Sequence, residues 1–491
     1  MTYRIGHTED CDYPGLGELQ QANVLKGGDL VECLNTHVYT FTSKWMYPQA
    51  GGTDPITFRG ISDAQGRKPF FDGRGKQMES PRAFFEMYGS TTDSRDDGAW
   101  VIENLEFMYA RNNDNDLNAA GIRSVNAGYL RVTNCKIWNC AMGVMASDES
   151  GETIIEDSDI GFCGYGDGHS HCIYVMGEKF RLQNCRIHDS IVGQNVKTRN
   201  RFVNVSYNEI FFSRDGELGI IQSGDGTPED STVTAQPGSN ALVCDNLIFT
   251  RKDRSGGNKA MVISFGLDMN DTGRNGTLFL HGNRIFANHP DNEFIKLTGS
   301  TTSLDAKHNK LRGSLKIIYE KDQALSIYGE YNWTEPEALV PIEWINPAVY
   351  DYTMGEDYRS TASPSKRTVN ATLPTPTNLR DWPDQQGLSL EWDPVPGAAM
   401  YRIWREKRVN GKAVEKTIWG GSTDPRYVDT FQHYASTSSE KKEYAYTVVA
   451  VDYNGNQSAQ SAAWVKEHGQ PGHPDPAGYL DETGAGLFSV A

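Results

Sequence analysis

Val132-Thr-Asn-Cys-Lys-Ile137 is a hexapeptide that recurs in altered form between residues 132 and 311 of the chain. Its relatives keep an aliphatic first residue, a small or polar fourth residue and an aliphatic sixth residue: Ile155-Glu-Asp-Ser-Asp-Ile160, Leu182-Gln-Asn-Cys-Arg-Ile187, Val205-Ser-Tyr-Asn-Glu-Ile210, Val243-Cys-Asp-Asn-Leu-Ile248 and Leu280-His-Gly-Asn-Arg-Ile285. A partial member ends at Asn309-Lys-Leu311, with Ala306 at the first position. Such a repeat predicts stacked units, because one unit alone could not bury its apolar side.

The fourth position forms a column of small polar residues, and its spacing is uneven. Successive members lie 23, 27, 23, 38, 37 and 26 residues apart. Constant strands with variable spacing predict stacked coils with loop insertions. Leucine-rich repeats and solenoids with a strict six-residue period are disfavoured, because both keep a regular spacing. We therefore predict an all-β fold, a right-handed parallel β-helix. The asparagines of the column are expected to form one interior hydrogen-bonded ladder, namely Asn208, Asn246 and Asn283.

A second strand in each coil predicts an outward face. Its inward residues are expected to be Ile122, Val144, Ile173, Val196, Ile221, Ile263 and Ile295. Because side chains alternate along a strand, the residues that follow them should point to solvent. These are Arg123, Met145, Tyr174, Lys197, Gln222, Ser264 and Lys296. This row is the candidate functional face.

The pattern changes after the coils, which are predicted over residues 1–335. Residues 336–373 are expected to be a linker, and residues 467–491 a tail. Between them, short alternating strands include Leu388-Ser-Leu-Glu-Trp392 and Tyr444-Ala-Tyr-Thr-Val-Val449. A Trp on an early strand and paired tyrosines on a late strand are typical of a sandwich core. Residues 374–466 therefore resemble a fibronectin type III-like β-sandwich of seven strands with Trp392 buried.

Composition and net charge restrict the classes of binding partner and the location expected for this protein. The 491-residue chain has a formal net charge of −17, which disfavours nucleic acid because phosphate binding needs a basic face. No apolar run approaches about 18 residues, so membrane insertion is not expected. The polar segment from Met1 to Asp10 does not resemble a signal peptide, and we expect an extracellular or virion-associated protein. The eight cysteines all precede residue 245 and are expected to be buried free thiols.

Three segments near the N-terminus resemble the opening coils of the pectin-lyase-like superfamily: Gly27-Gly-Asp-Leu-Val-Glu32, Asp54-Pro-Ile-Thr-Phe-Arg-Gly60 and Lys68-Pro-Phe-Phe-Asp-Gly73. More narrowly, they are similar to the alginate lyase and chondroitinase B family. The segment from Gln194 to Asn208 resembles the coil that presents that family's catalytic lysine, which places Lys197 in its position. One coil later the family carries an Arg-His pair, whereas this chain has Ile220-Ile-Gln-Ser-Gly224. The resemblance implies a polysaccharide ligand, and the missing arginine leaves catalysis open.

Lyase chemistry would need a cation to neutralise a uronic acid carboxylate and a base to remove the adjacent proton. Lys197 is the candidate base, and Arg199, on the same side of the strand, could bind the carboxylate. Tyr174 and His171 are further catalytic candidates. A basic band surrounds them, with Asp189 as the one carboxylate against Lys179, Arg181, Arg186, Lys197, Arg199 and Arg201.

Arg123, His169, Arg201, Gln222 and Lys296 are candidate substrate-binding residues. No cofactor is indicated, and calcium stays open only at the run Asn112-Asn-Asp-Asn-Asp116, which lacks the spacing of an EF-hand. Paired aspartates could indicate a glycoside hydrolase, but none falls in the outward row.

Two functional hypotheses remain. The first is a lyase-like depolymerase of an acidic polysaccharide. The second is a non-catalytic receptor-binding or structural spike, for example of a phage-like particle, that recognises a surface polysaccharide. A homo-oligomer such as a trimer is compatible with either hypothesis.

Overall fold

The structure is a computed structural model with 4% helix and 56% strand, which confirms the all-β prediction. It describes residues 1–40, 44–46, 54–73, 78, 82–89, 98–111, 119–147, 150–164, 170–223, 232–250, 261–266, 274–287, 293–298, 302–307, 309–313, 316–320, 326–330, 333–334, 373–381, 388–398, 400–409, 411–422, 425–429, 442–451 and 458–467. The chain divides into two compact units. One comprises Met1–Gly73, Met78–Ala110 and Asn115–Val340, and the other includes Pro341–Ala491.

The first unit is built from parallel strands and two short helices, α1 (Leu16–Ala22) and α2 (Thr232–Ala235). In chain order the strands are β1 (Thr2–Ile5), β2 (Leu30–Leu34), β3 (Tyr39–Thr40), β4 (Lys44–Met46), β5 (Ile56–Ile61), β6 (Phe70–Asp72), β7 (Ala83–Tyr88), β8 (Ala99–Glu103), β9 (Glu106–Met108), β10 (Ala120–Val125), β11 (Tyr129–Thr133), β12 (Lys136–Trp138), β13 (Met142–Ala146), β14 (Glu152–Glu156), β15 (Asp159–Gly161), β16 (Ile173–Gln183), β17 (Arg186–His188), β18 (Gln194–Ser206), β19 (Glu209–Phe211), β20 (Gly216–Ile221), β21 (Ala241–Cys244), β22 (Leu247–Phe249), β23 (Met261–Gly266), β24 (Thr277–His281), β25 (Arg284–Ala287), β26 (Glu293–Thr298), β27 (Ser303–Lys307), β28 (Lys310–Gly313), β29 (Lys316–Glu320), β30 (Ser326–Glu330) and β31 (Trp333–Thr334).

These strands stack in register into three faces, and each complete coil contributes one segment to each face. The first face contains β4, β7, β10, β13, β16, β18, β20, β23, β26 and β29. The second contains β1, β2, β5, β8, β11, β14, β21, β24, β27 and β30, and the third contains β3, β6, β9, β12, β15, β17, β19, β22, β25, β28 and β31. Because β16 and β18 run on from the first face into the second, those two faces form one continuous sheet. The stacked parallel strands are compatible with a parallel β-helix.

A single residue in the left-handed conformation turns the chain from the second face to the third. This residue has φ between 51° and 66° in seven coils, at Asn104, Asn134, Asp157, Asn184, Tyr207, Asp245 and Gly282. Asn, Asp and Gly adopt this conformation at the lowest steric cost, which explains their frequency in the third position of the hexapeptide.

The fourth position of the hexapeptide forms the predicted interior ladder. The Asn208 amide donates to Asn246 Oδ1 at 3.0 Å, and the Asn246 amide donates to Asn283 Oδ1 at 3.0 Å. Asn309 continues the series, since its Oδ1 accepts from Asn283 Nδ2 at 3.0 Å. Each Oδ1 also accepts the backbone N–H of the preceding asparagine. The ladder prediction is confirmed, and with it the alignment of the repeats.

A second interior column, which the sequence did not reveal, lies where the third face ends. Its members are fully buried and small: Ala110, Cys140, Cys163, Ser190 and Ser213. All eight cysteines are free thiols, six of them buried, and only Cys11 and Cys244 are partly exposed. Burial raises the pKa of the Cys135 thiol to about 12, so it acts as a small core residue.

The predicted register is wrong in one coil. Leu218, and not Ile221, pairs with Val196 and with Ile263. The apolar run Leu218-Gly-Ile-Ile221 fits more than one register, because Gly219 has no side chain to mark the outward position. The correction moves Gly219 into the outward row and removes Gln222 from it.

The second unit contains two antiparallel sheets. Its strands are β32 (Arg380–Asp381), β33 (Leu388–Glu391), β34 (Met400–Val409), β35 (Lys412–Ser422), β36 (Arg426–Asp429), β37 (Lys442–Val451) and β38 (Trp464–Glu467). One sheet has the order β32-β33-β36, and the other has the order β35-β34-β37-β38. Trp392, 2% exposed, follows β33 and packs its ring 5.1 Å from that of Tyr401 in β34. The described residues of this unit therefore form two packed sheets of seven strands in all, a sandwich with Trp392 buried. Nearly all of the predicted linker and tail lies outside the described residues.

Candidate functional site

The outward side of the first face presents one residue per coil in a continuous row. The register pairs Glu86 with Arg123, Arg123 with Met145, Met145 with Tyr174 and Tyr174 with Lys197. It continues from Lys197 through Gly219 and Ser264 to Lys296. We call these eight residues the outward column. It holds three cations and one carboxylate, in a protein with a net charge of −17.

The outward column is less exposed than predicted. Arg123, Tyr174 and Ser264 are buried, whereas Met145, Lys197 and Lys296 are half-buried. Gln222, which the sequence placed in this row, is fully buried. The outward column is thus only partly accessible to solvent.

Three of the predicted catalytic residues meet near the centre of the column. The Arg199 Nε donates to the Tyr174 hydroxyl at 3.0 Å, and the Lys197 Nζ lies 5.5 Å from the centre of the Tyr174 ring. Arg199 is only 1% exposed, and its Nη1 donates to the backbone carbonyl of Gln222 at 2.9 Å. Arg199 therefore supports Tyr174 from below the surface, while Lys197 is the more accessible cation.

His171 lies on the same side of the coil stack. Its ring centre is 5.4 Å from that of Tyr174, and its Nδ1 accepts the backbone N–H of Gln194 at 2.9 Å. Because Nδ1 accepts this bond, a neutral His171 carries its proton on Nε2. Arg201 lies further along β18, where its Nη1 is 3.4 Å from Glu178. His169 and the Asn112–Asp116 run lie outside the described residues.

Gln194 is a member of this surface that the sequence did not indicate. A Cβ atom on Gly219 would lie 2.3 Å from Gln194 Oε1, so the Gln194 side chain lies directly over Gly219. An amide from the preceding coil thereby occupies the place of the missing side chain, next to Lys197. Only the corrected register, with glycine in the outward column, could have revealed this arrangement.

The third face carries a buried charged network. His188 contacts Asp159 Oδ1 through Nε2 and Asp189 Oδ2 through Nδ1, both at 2.9 Å. Burial opposes protonation of His188, but the two carboxylates outweigh it and raise its pKa. The pKa of Asp159 is held well below its usual range, because the imidazolium and Arg186 outweigh its burial. The network gives His188 a structural role away from the outward column.

Within the described part of the chain, no group of three or more His, Cys, Asp or Glu side chains could hold a metal ion. None of the described helices is long and apolar enough to cross a membrane. No protein-family model matches the chain, and no curated protein matches it.

Proposed function

We propose that the first unit is a right-handed parallel β-helix that binds an acidic polysaccharide along the outward column. Right-handed connections between parallel strands of one sheet are nearly universal, which supports the handedness. We also propose that the seven-strand sandwich is a fibronectin type III-like module. The resemblance of the N-terminal segments to the alginate lyase and chondroitinase B family supports the choice of ligand.

One observation carries the proposal: the outward column differs in charge pattern from the other two faces. On the third face, Lys136 pairs with Glu106 at 2.9 Å, and on the second face Arg4 pairs with Glu32 at 2.9 Å. From Arg123 to Lys296, the residues of the outward column themselves include three cations and no acidic residue. A local excess of positive charge on an acidic protein favours an anionic ligand. A row of side chains spaced by about 4.8 Å suits an extended polymer.

Polysaccharide cleavage by β-elimination is the second candidate, favoured by the contacts among Lys197, Tyr174 and Arg199. Lys197 would take the proton, and the Tyr174 hydroxyl, which accepts a hydrogen bond from Arg199, would protonate the leaving oxygen. Against this, glycine and not arginine follows Lys197 in the column, and Arg199 is almost fully buried. Binding without turnover is therefore the primary proposal.

Replacing Lys197 with alanine tests both functions. Binding of polygalacturonate and alginate is measured at low and high salt, together with the ultraviolet absorbance of unsaturated products. If the protein only binds, affinity should fall a few-fold at low salt, about 0.5–1 kcal/mol, and the difference should shrink at high salt. If it is a lyase, turnover should fall by about 10²–10⁴-fold while binding persists.

Lys179→Ala is the matched control, because Lys179 is an exposed lysine of β16 at a position on the second face. It should leave binding unchanged. Equal losses in both variants would indicate nonspecific charge attraction and contradict the assignment to the outward column. Failure of the folded protein to bind any anionic polysaccharide at low salt would end the proposal.

A further inference from the structure

Arg123 lies toward the N-terminal end of the outward column, and one nitrogen of its guanidinium group has no hydrogen-bond acceptor. The residue is 9% exposed, and its Nε lies 3.5 Å from Glu86 Oε1 on the preceding coil. Its Nη1 is buried and has no hydrogen-bond partner. A buried charged donor without an acceptor is unfavourable, so a ligand oxygen that accepts from it would stabilise the site.

The Glu86 carboxylate is shared among several donors and does not bind Arg123 alone. Its carboxylate already accepts the backbone N–H of Arg82 and the Tyr88 hydroxyl, the latter at 3.1 Å. Burial lowers the pKa of Arg123, and the charge of Arg82 lowers it further, while Glu86 only partly opposes both effects. Glu86 therefore leaves the buried Arg123 Nη1 without an acceptor, which a ligand anion would supply.

An apolar strip separates this cluster from Lys197. Tyr174 belongs to a buried apolar cluster with Ala83, Ala120 and Met142, and the half-buried Met145 packs against this cluster. The order along the column is therefore cation, apolar, apolar, cation. Arg123 and Lys197 are three coils apart, which is about 14 Å for strands stacked in register.

We propose that Arg123, beside Glu86, forms a second anion subsite that binds an acidic group of the same polysaccharide chain that contacts Lys197. This inference rests on the proposed function and deepens it. A pyranose residue in an extended chain is about as long as one coil rise, so the two anionic groups belong to residues three apart. A polymer with an acidic group on every sugar meets this spacing. A polymer acidic at every second sugar does not.

The anion subsite is tested first with sulfate alone. Thermal unfolding midpoints are compared in sodium sulfate and in sodium chloride of equal ionic strength. Sulfate stabilises folded proteins generally, so the comparison is made among variants. Wild type and the control Arg131→Gln, whose arginine pairs with Glu156 on the second face, should show the same extra shift. Arg123→Gln should lose that shift, and Glu86→Gln should enlarge it. An unchanged sulfate response in both Arg123→Gln and Glu86→Gln would overturn the subsite.

The span between the subsites is tested with tetragalacturonate and digalacturonate by calorimetry. Only the tetramer reaches both Arg123 and Lys197, so wild type should prefer it. Arg123→Gln and Lys197→Gln should each reduce that preference by about tenfold, the value of one charged hydrogen bond. If both sugars bind and Arg123→Gln keeps the preference, the spanning arrangement is wrong while the proposed function stands. If the folded protein binds no anionic polysaccharide at low salt but sulfate acts through Arg123, the proposed function is wrong while the anion subsite stands.

Discussion

At the level of individual residues, the contacts of His188 with Asp159 and Asp189 should make the stability of the first unit depend on pH. His188 has a raised pKa in the folded state, so its contribution is complete below its ordinary pKa of 6.5 and is lost as pH rises through the folded value. Asp159 has a lowered pKa, so its contribution is present above its ordinary pKa of 3.8 and is lost as pH falls through the folded value. A tenfold change in a proton-binding constant on folding corresponds to about 1.4 kcal/mol of stability.

We therefore expect His188→Gln to be most destabilising between about pH 4 and pH 6.5 and less so at pH 9. The measurement is the urea concentration at which the first unit is half unfolded, determined at pH 5.5 and at pH 9. His281→Gln is the control, since His281 lies 3.6 Å from Asp305 but is half-buried. A His188→Gln effect that is the same at both pH values would contradict the assignment of a charged imidazolium.

Substitution of two glycines by alanine tests how tightly their surroundings are packed, because the added methyl group meets different neighbours at each site. A Cβ on Gly161 would lie 2.4 Å from the buried His188 ring, whereas a Cβ on Gly219 would meet the flexible end of Gln194. Gly161→Ala should destabilise the protein by about 1–3 kcal/mol, as overpacking does. Gly219→Ala should cost much less and displace Gln194. Equal urea midpoints for the two variants would contradict this difference.

Among the strands and turns, the asparagine ladder holds successive coils together. Asn246 accepts from Asn208 and donates to Asn283 and to the Val205 carbonyl, in every case inside the core. Asn246→Ala leaves several buried groups without partners, at about 1–3 kcal/mol each. We expect a clear fall in the urea midpoint and faster hydrogen exchange in β19 and β22.

Asn204→Ala is the control for the ladder. Asn204 lies on the second face, and its Oδ1 makes no hydrogen bond, so its loss should change stability by less than about 0.5 kcal/mol. Similar effects of the two substitutions would contradict the importance of the ladder.

For the protein as a whole, we predict that the sandwich serves attachment or orientation and that the coils carry the binding surface. Every residue of the outward column belongs to the first unit. A chain ending at residue 372 should therefore bind the polysaccharide with nearly unchanged affinity, as measured by calorimetry after its fold is verified by circular dichroism. A folded truncated chain that no longer binds would contradict this division of roles.

Local patterns in the sequence were enough to predict the repeating parts of this protein. The aliphatic residues of the hexapeptide must be buried in every coil, so their recurrence identified the stacked strands and the Asn208, Asn246 and Asn283 ladder. Lys197, Tyr174 and Arg123 also fell in one column, because alternation along a strand is a local property.

The contacts between coils could be learned only from the folded chain. Lys197 is followed by Gly219 and not by Gln222, since the register depends on a loop length that no local pattern records. Burial of Arg199 beneath Tyr174, the position of Gln194 over Gly219, and the contact of His188 with Asp159 all join residues from different coils. Such contacts depend on how side chains share space between coils, whereas periodicity reports only which side of a strand each residue occupies.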